Sequence, residues 1–312
     1  MDKPPLEVTP AMQITGETAH EQPPEPCHVG LLAGWGGYPI AVVEALLRQG
    51  CRVSCLGVKD HADPALKELC DDFQWIGLAK LGAAIRYFRR RGVQRATMAG
   101  KIHKVLIYQP WLWLKHFPDF RFVRTMYPHF ITGRRDRKDD TLLGAIADAF
   151  AADGITFAPA TDFAPELLVR SGSLTGRGPS PRDQRDIEFG WQMAKRLGEL
   201  DIGQSVCVKD QAALAVEAIE GTDQCIQRAG ALCQSGGFTV VKVAKPQQDM
   251  RFDVPTIGLQ TLETMVAAGA RVLAVEAERT ILLDEPAFIQ FAIDHKLFVV
   301  ALASVGGAER AA

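Results

Sequence analysis

Three carboxylates at a strict three-residue spacing stand out in the stretch AVEAIEGTDQCIQR: Glu217, Glu220 and Asp223. An apolar run precedes them and a helical pattern follows. Carboxylates gathered in this way can hold a divalent cation or orient a water molecule. The alternative is structural, because Thr222 is a good N-cap and an aspartate after it complements the helix dipole. The capping box is incomplete, since Cys225 replaces its Glu or Gln. Taken alone, the stretch favours capping.

Other polar segments change that balance. ELDIGQS lies just before a predicted strand, KVAKPQQDMRFD packs lysines, acids and an arginine into a short loop, and GRRDRKDD precedes a helix. Oxygen ligands beside Lys and Arg, without His/Cys metal spacing, suit magnesium and phosphate rather than zinc. Water attack on a phosphoanhydride needs such a metal and cations against the negative charge. The pattern therefore indicates an anion-handling site.

A glycine-rich turn follows the first predicted strand in GLLAGWGGYP and contains Gly34, Gly36 and Gly37. Such a turn can direct backbone N–H groups and a helix N-terminus at a phosphate. The dinucleotide fingerprint fails, because Pro39 stands where its third glycine belongs and Asp60 comes late for the expected acid. A nicotinamide cofactor is therefore discarded. A phosphate or sugar-nucleotide contact and a bare structural turn both remain open.

The elements that position these residues differ between the two halves of the chain. In the first half, short apolar strands alternate with amphipathic helices, which predicts a doubly wound parallel sheet. The second half reads as α+β: a hairpin around KDQ, the helix TDQCIQRAGALCQ, and the strand RVLAVEA with TILLD as a hairpin partner. We expect a disordered leader over residues 1–26, a Rossmann-like domain over 27–160 and a C-terminal domain over 161–305.

Composition excludes several classes of protein. The 35 basic and 37 acidic residues give a net charge of −2, so neither nucleic-acid binding nor a polybasic anchor is expected. No apolar run approaches the length of a membrane span. Most of the seven cysteines lie in apolar runs, which is typical of reduced cysteines in a cytoplasmic protein. The aromatic segment YQPWLWLKHFPDFRF is a packed helix or partner surface, or alternatively a groove for an acyl chain or a membrane surface.

Three motifs in order, DIGQSVCV, AVEAIEGTDQCIQR and VVKVAKPQQDMRFDVPTIG, closely resemble those of the magnesium-dependent UDP-2,3-diacylglucosamine pyrophosphatases of lipid A biosynthesis. This two-domain family is unrelated to the metallophosphoesterase-type enzyme that does the same job in other bacteria. GLLAGWGGYP, MAGKI and DDTLLGAI agree with it, and the resemblance spans residues 29–303. One departure is Cys207, where an aliphatic residue is expected.

The resemblance implies hydrolysis of UDP-2,3-diacylglucosamine to 2,3-diacylglucosamine 1-phosphate and UMP. It also implies a Rossmann-like N-terminal domain, a distinct C-terminal domain, a substrate chamber between them and a homodimer. The activity-critical acid of the EGTD motif maps onto Asp223. A lipid-linked substrate further implies transient contact of a cytoplasmic protein with the inner membrane surface.

Roles for individual residues follow as hypotheses. Asp223, with Glu220 and Asp249, is expected to be catalytic and to bind Mg²⁺, whereas Glu217 is a weak candidate. Apolar walls that include Trp111 and Trp113 would accept the acyl chains. The residues expected to bind substrate are Gly34, Gly36, Gly37, Lys101, Gln204, Thr222, Arg228, Lys242, Lys245, Gln248 and Arg251.

A function of a different class is a non-catalytic regulatory protein that binds a sugar nucleotide or a lipid. Acids clustered beside bases favour the enzyme, because a module that only binds an anion needs the bases more than the acids.

Overall fold

The computed structural model describes residues 27–101, 117–130, 139–176 and 178–303. The predicted leader and the tryptophans at 111 and 113 lie outside these ranges. In the described part of the chain, no helix is long and apolar enough to cross a membrane. Two sheets, of five and six strands, organise the two halves, and a further pair of short strands lies apart from both.

The elements alternate along the first half and become irregular in the second. The strands are β1 His28–Ala33, β2 Arg52–Val58, β3 Asp72–Ile76, β4 Arg95–Ala99, β5 Thr156–Phe157, β6 Gly172–Ser173, β7 Ser205–Lys209, β8 Ala212–Val216, β9 Phe238–Lys242, β10 Thr256–Ile257, β11 Ala270–Glu276, β12 Ile281–Leu282 and β13 Phe298–Leu302. The α-helices are α1 Tyr38–Arg48, α2 Leu66–Leu69, α3 Leu81–Arg90, α4 Phe120–Phe130, α5 Asp139–Ala151, α6 Ala160–Phe163, α7 Pro181–Glu199, α8 Thr222–Leu232, α9 Leu259–Ala268 and α10 Glu285–Asp294.

The first sheet has the order β3-β2-β1-β4-β5, and all its neighbouring strands are parallel. Side chains of β1 alternate between the two faces, so Leu31 packs in the core beneath α1. On the other face Gly30 leaves room for Phe88 of α3, because a Cβ there would lie 3.1 Å from that ring. Cores on both faces explain why the strands are apolar throughout. The predicted doubly wound α/β domain is confirmed.

The second sheet has the order β6-β13-β11-β9-β7-β8 and is mixed. Strands β9, β11 and β13 run parallel, whereas β6, β7 and β8 pair antiparallel, and β7–β8 is the predicted hairpin. Helix α7 covers one face, and α8, α9 and α10 cover the other. The distinct α+β domain is therefore confirmed.

Helix α7 is absent from the sequence interpretation, although its start carries a signal. Ser180 and Asp183 form a capping box: the Ser180 hydroxyl accepts a hydrogen bond from the Asp183 N–H at 3.2 Å, and the Asp183 carboxylate accepts one from the Ser180 N–H at 3.1 Å. Pro181 occupies the first turn, as its fixed φ favours. The helix start was missed because the Gly/Ser/Pro-rich segment before it indicates a loop.

The predicted hairpin between RVLAVEA and TILLD is wrong. β12 pairs parallel with β10, and the segment at Val169 takes the backbone groups that a hairpin would use. The Val169 N–H donates to the Thr280 carbonyl at 2.9 Å, and the Glu278 N–H donates to the Val169 carbonyl at 2.9 Å. Ile281 is fully buried in the core of the first domain. The β10–β12 pair therefore joins the two domains.

The expectation of reduced cysteines fails at one pair. Cys27 and Cys51 form a disulfide, because each residue immediately precedes one of the neighbouring parallel strands β1 and β2, and their Cα atoms lie 4.5 Å apart. The other five cysteines are free thiols, four of them buried.

Candidate active site

The glycine turn after β1 packs against the end of β4. The Trp35 and Lys101 backbones exchange two hydrogen bonds of 2.9 Å. A Cβ on Gly34 would lie 2.9 Å from backbone atoms at Gly100, and a Cβ on Gly100 would lie 2.7 Å from Gly34. Gly100 also has φ +90°, which favours glycine. Close backbone approach therefore accounts for Gly34 and Gly100 and places Lys101 at the carboxyl edge of the first sheet.

Lys101 reaches the second domain at the start of α8. A Cβ on Gly221 would lie 3.5 Å from Lys101 Nζ. Gly221 is the N-cap of α8 and has φ +88°, so a side chain there would strain the backbone. The lysine and the helix start thus face each other where the carboxyl edge of a parallel sheet typically binds ligands.

Thr222 does not cap α8 as predicted. Its hydroxyl instead donates to Glu217 Oε1 at 3.2 Å and lies 3.2 Å from Ser205 Oγ. Glu217 is buried, and its Oε2 has no hydrogen-bond partner among the described residues. The sequence interpretation had left Glu217 as a weak candidate. A buried carboxylate next to the helix start competes successfully for the Thr222 hydroxyl, so the capping prediction is wrong.

Strand pairing explains why these groups meet. Ser205 of β7 pairs with Lys242 of β9, and the Glu217 N–H donates to the Ser205 carbonyl at 2.9 Å. Cross-strand neighbours present their side chains on the same face of the sheet. The face that carries α8 therefore ends in one polar cluster containing Ser205, Glu217, Thr222 and Lys242.

Lys242 is buried in this cluster, and its ammonium donates to the Thr256 carbonyl at 2.8 Å. Burial lowers the pKa of Lys242 from its usual value, and the neighbouring charge of Lys101 lowers it further. The carboxylates of Glu217, Asp223 and Asp253 act in the opposite direction on the same pKa. The cluster therefore combines two ammonium groups and three carboxylates drawn from both domains.

Asp223 is the half-buried member of the cluster, in the first turn of α8. Its carboxylate has no hydrogen bond or ion pair to another described side chain. This position puts the carboxylate at the positive end of the helix dipole. Asp223 is thus an available anion near Lys242, in the helix start that Lys101 approaches at Gly221.

Two other predicted carboxylates are held in ion pairs. Glu220 lies 2.5 Å from the Arg228 guanidinium, which also donates to the Val216 carbonyl at 2.7 Å. The Arg251 guanidinium donates hydrogen bonds of 2.6–3.1 Å to Asp249. These bonds hold the pKa of the Asp249 carboxyl below its usual range. Neither carboxylate is available for a metal in this arrangement.

The remaining predicted substrate residues lie around the cluster. Gln248 is buried and shapes its loop, since it accepts from the Lys245 N–H at 2.9 Å and donates to Asp253 at 2.8 Å. Lys245 pairs with Asp201 at 2.5 Å. Gln204 has a buried carbonyl oxygen without a partner among the residues described. Gly36 and Gly37 form the turn into α1, and no atom lies within 4 Å of the position a Cβ would take on Gly36.

Magnesium can be tested against this set of donors. No group of three or more His, Cys, Asp or Glu side chains in the described ranges is arranged to hold a metal ion. Mg²⁺ needs only one or two protein carboxylates when substrate phosphates complete its shell. Asp223 and the unpartnered Glu217 oxygen suit that smaller role. The residues therefore fit a metal shared with a phosphorylated substrate rather than a site built from protein alone.

Sequence reasoning missed Ser205 as a functional candidate, left Glu217 as a weak one and gave Asp253 no role of its own. The alternation of β7 and β9 was a usable signal for Ser205, since it places this residue on the same face as Lys242. No local signal could reveal that Glu217 is buried, because its burial depends on helix α8 and on Lys242, which lie elsewhere in the sequence.

Comparisons with known proteins identify the family of the chain. The family model "LpxI N-terminal domain" matches residues 28–167, and "LpxI C-terminal domain" matches residues 170–300. A protein from Caulobacter vibrioides, "UDP-2,3-diacylglucosamine pyrophosphatase LpxI", is 29% identical over 279 residues, which cover 87% of this chain and 96% of that protein. A biotin carboxylase from Campylobacter jejuni overlaps 66% of this chain and 42% of its own at 11% identity, but its TM-score of 0.25 carries no argument. The two domain matches lie in order and together span both sheets, so the chain belongs to the LpxI family.

Proposed function

We propose that the chain hydrolyses the diphosphate of UDP-2,3-diacylglucosamine, releasing UMP and 2,3-diacylglucosamine 1-phosphate for lipid A biosynthesis. The observation that carries this proposal is that Lys101 of one domain and Lys242 of the other come together at the start of α8, which carries Asp223. Two cations brought together across a domain boundary suit a substrate with two adjacent phosphates. Family membership and the name of the Caulobacter vibrioides relative point to the same reaction.

Within this proposal each group of the cluster has a distinct role. Lys101 and Lys242 neutralise charge on the diphosphate, and Asp223 orients the attacking water. Glu217 keeps Lys242 charged despite burial and fixes the Thr222 hydroxyl at the helix start. This pairing matters because a neutral lysine would offer no charge to the transition state.

Magnesium is part of the proposal, with Asp223 as the ligand and Glu217 able to assist. Bound Mg²⁺ would supply further charge neutralisation at the diphosphate. Glu220 and Asp249, which the sequence also suggested for catalysis and metal binding, would first have to leave Arg228 and Arg251. We therefore expect chelation to abolish hydrolysis and added Mg²⁺ to restore it.

The other predicted contacts remain proposals around this centre. Lys245, Gln248 and Arg251 would bind the polar part of the substrate from the loop after β9, with Gln204 and Arg228 nearby. The glycine turn would approach the substrate through Gly36 and Gly37. We also propose a homodimer in the cytoplasm that contacts the inner membrane surface transiently, because the substrate is a membrane lipid.

The test is release of UMP from UDP-2,3-diacylglucosamine by the wild-type chain and by Asp223→Asn. The variant keeps the size of the side chain and removes its charge, so we expect a loss of about 10²–10⁴ in kcat. Asp294→Asn, at the far end of α10 and bonded only locally to Gln290, is the matched control and keeps full activity.

Two outcomes would contradict the proposal at different levels. No UMP from the wild-type chain with Mg²⁺ present, together with tight substrate binding, would indicate the regulatory protein instead. Full activity of Asp223→Asn would leave the reaction in place and remove the role assigned to Asp223.

A further inference from the structure

Helix α4 exposes an apolar stripe. Phe120, Val123 and Tyr127 follow one another at helical spacing and are 83%, 43% and 48% exposed. The opposite face of the helix packs on the domain, where Met126 is buried. Phe117, just before the helix, is 61% exposed and extends the stripe. Clustered large apolar side chains at a surface are informative in a way that a single exposed one is not. We call these four residues the α4 stripe.

The neighbouring helix α3 presents an exposed row of arginines beside this stripe. Arg86, Arg89 and Arg90 follow helical spacing, and all three are exposed. A groove of about 200 Å³ between the two helices is lined by Arg86, Arg89 and Arg121, and Phe120 forms part of its wall. Guanidinium groups and an exposed aromatic ring therefore share one groove.

The charge of this surface is strongly positive. Lys80 lies 5.9 Å from the Phe117 ring, and Arg124 lies on α4 between stripe residues. The two carboxylates in the groove are both engaged: Asp153 with Arg89 and Arg121, and Asp119 with the backbone N–H groups of residues 83 and 122. The groove itself holds three arginines and these two carboxylates, and three more cations lie outside it; the six cations are Lys80, Arg86, Arg89, Arg90, Arg121 and Arg124.

We propose that the α4 stripe and the α3 arginines form a docking surface for a bilayer that contains anionic phospholipid. Phe117, Phe120 and Tyr127 enter the boundary between headgroups and acyl chains, while the guanidinium groups bind lipid phosphates from the groove. An apolar face flanked by Arg and Lys is the pattern of helices that lie in a membrane interface. This inference deepens the membrane contact proposed above and specifies its surface.

Charge decides between a membrane and a second copy of the chain. A symmetric dimer through this face would bring six cations of one copy against the same six of its partner. Like charges brought together without counter-charges oppose such an interface. An anionic bilayer supplies the complementary charge and an apolar layer for the aromatic side chains.

The experiment is co-sedimentation of the full chain with vesicles of phosphatidylethanolamine and phosphatidylglycerol, against vesicles of phosphatidylcholine alone. We expect binding to the anionic vesicles that weakens with salt. Phe120→Ala should lower the partition coefficient about tenfold, since part of a ring leaves the interface. Arg90→Gln should lower it about fivefold, as expected for one cation at an anionic surface.

Matched control variants separate this surface from a general effect. Leu232→Ala removes a side chain that is 68% exposed on the other domain, and Arg196→Gln removes an exposed arginine from the last turn of α7, as Arg90 lies in the last turn of α3. Both controls should bind vesicles as the wild-type chain does. Circular dichroism checks that each variant is folded.

Three results would overturn the proposal. One is equal binding of the wild-type chain to both kinds of vesicle, or none to either. A second is unchanged vesicle binding by folded Phe120→Ala. A third is conversion of a dimer to a monomer by Phe120→Ala with vesicle binding intact, which would make this face an interface between copies. Because the assay contains no substrate, a failure of hydrolysis cannot be mistaken for a failure of docking.

Discussion

Burial, rather than distance, should decide how much an ion pair stabilises this protein, and two pairs of similar length allow the comparison. Lys195 of α7 donates to both oxygens of Glu276 at 2.8 and 2.7 Å, and the side chains are 20% and 0% exposed. Arg182 donates to Asp210 through two bonds of 2.7 Å, but those side chains are 60% and 59% exposed. We compare the loss of stability in Glu276→Gln, which breaks the buried pair, with that in Asp210→Asn, which breaks the exposed pair.

The magnitude follows from what each amide leaves behind. Glu276 also accepts from the Ala244 N–H at 2.8 Å, so its two oxygens face donors only. The amide nitrogen of Gln must face one of those donors, and the Lys195 ammonium loses its counter-charge. Breaking a buried pair in this way costs about 3–5 kcal/mol, a large part of a typical domain's stability. Asp210→Asn should cost no more than about 1 kcal/mol.

Urea denaturation followed by circular dichroism measures both free energies of unfolding. The wild-type chain and both variants are compared at one pH and one salt concentration, so that screening is constant. Equal losses in the two variants would refute the reasoning. So would a larger loss for Asp210→Asn.

Two further predictions concern the polar cluster and its support. Burial lowers the pKa of Lys242, so stability should rise with pH from that folded value up to the ordinary lysine value of 10.5. Glu217→Gln lowers that pKa further. Its deficit in unfolding free energy should therefore be largest at pH values where Glu217 is ionised and Lys242 is still charged, and should shrink towards pH 10.5. A deficit independent of pH in urea titrations would contradict this. Gly203→Ala should destabilise by several kcal/mol, because its Cβ would lie 2.0 Å from the Glu217 carbonyl oxygen, whereas Gly144→Ala meets no atom within 4 Å and should stabilise helix α5 by about 0.5–1 kcal/mol. Thermal melts measure both glycine variants, and equal melting temperatures for Gly203→Ala and Gly144→Ala would contradict this prediction.

Local pattern was sufficient for the first domain. Its strands are buried on both faces and its helices are amphipathic, so apolar runs and helical spacing mark each element directly. The second domain was less readable. Helix α7 follows a Gly/Ser/Pro-rich loop and was missed, and β12 was paired with its neighbour in sequence although its partner is β10.

The residues of the candidate site also divide into those that sequence motifs indicated and those that only the structure revealed. Asp223, Lys101 and Lys242 were candidates because their motifs resemble those of the family, whereas local pattern alone favoured a helix cap around Asp223. Glu217 was set aside, because nothing nearby in sequence shows that its carboxylate is buried. Thr222 was expected to cap α8, since a local rule cannot weigh the helix N–H groups against a carboxylate of another element.

The sequence by itself determined most of the strands and helices of the first domain, which family the motifs resemble and which charged residues are candidates for chemistry. These are local properties, set by side-chain type and spacing. Only the tertiary structure decided that Lys101 meets Gly221 across the domain boundary and that Glu217 lies beside a buried Lys242. It also decided that Glu220 and Asp249 are held by arginines. The physical reason is that burial and charge balance depend on which surfaces pack together, and a contact between residues more than a hundred positions apart leaves no periodic trace in the sequence.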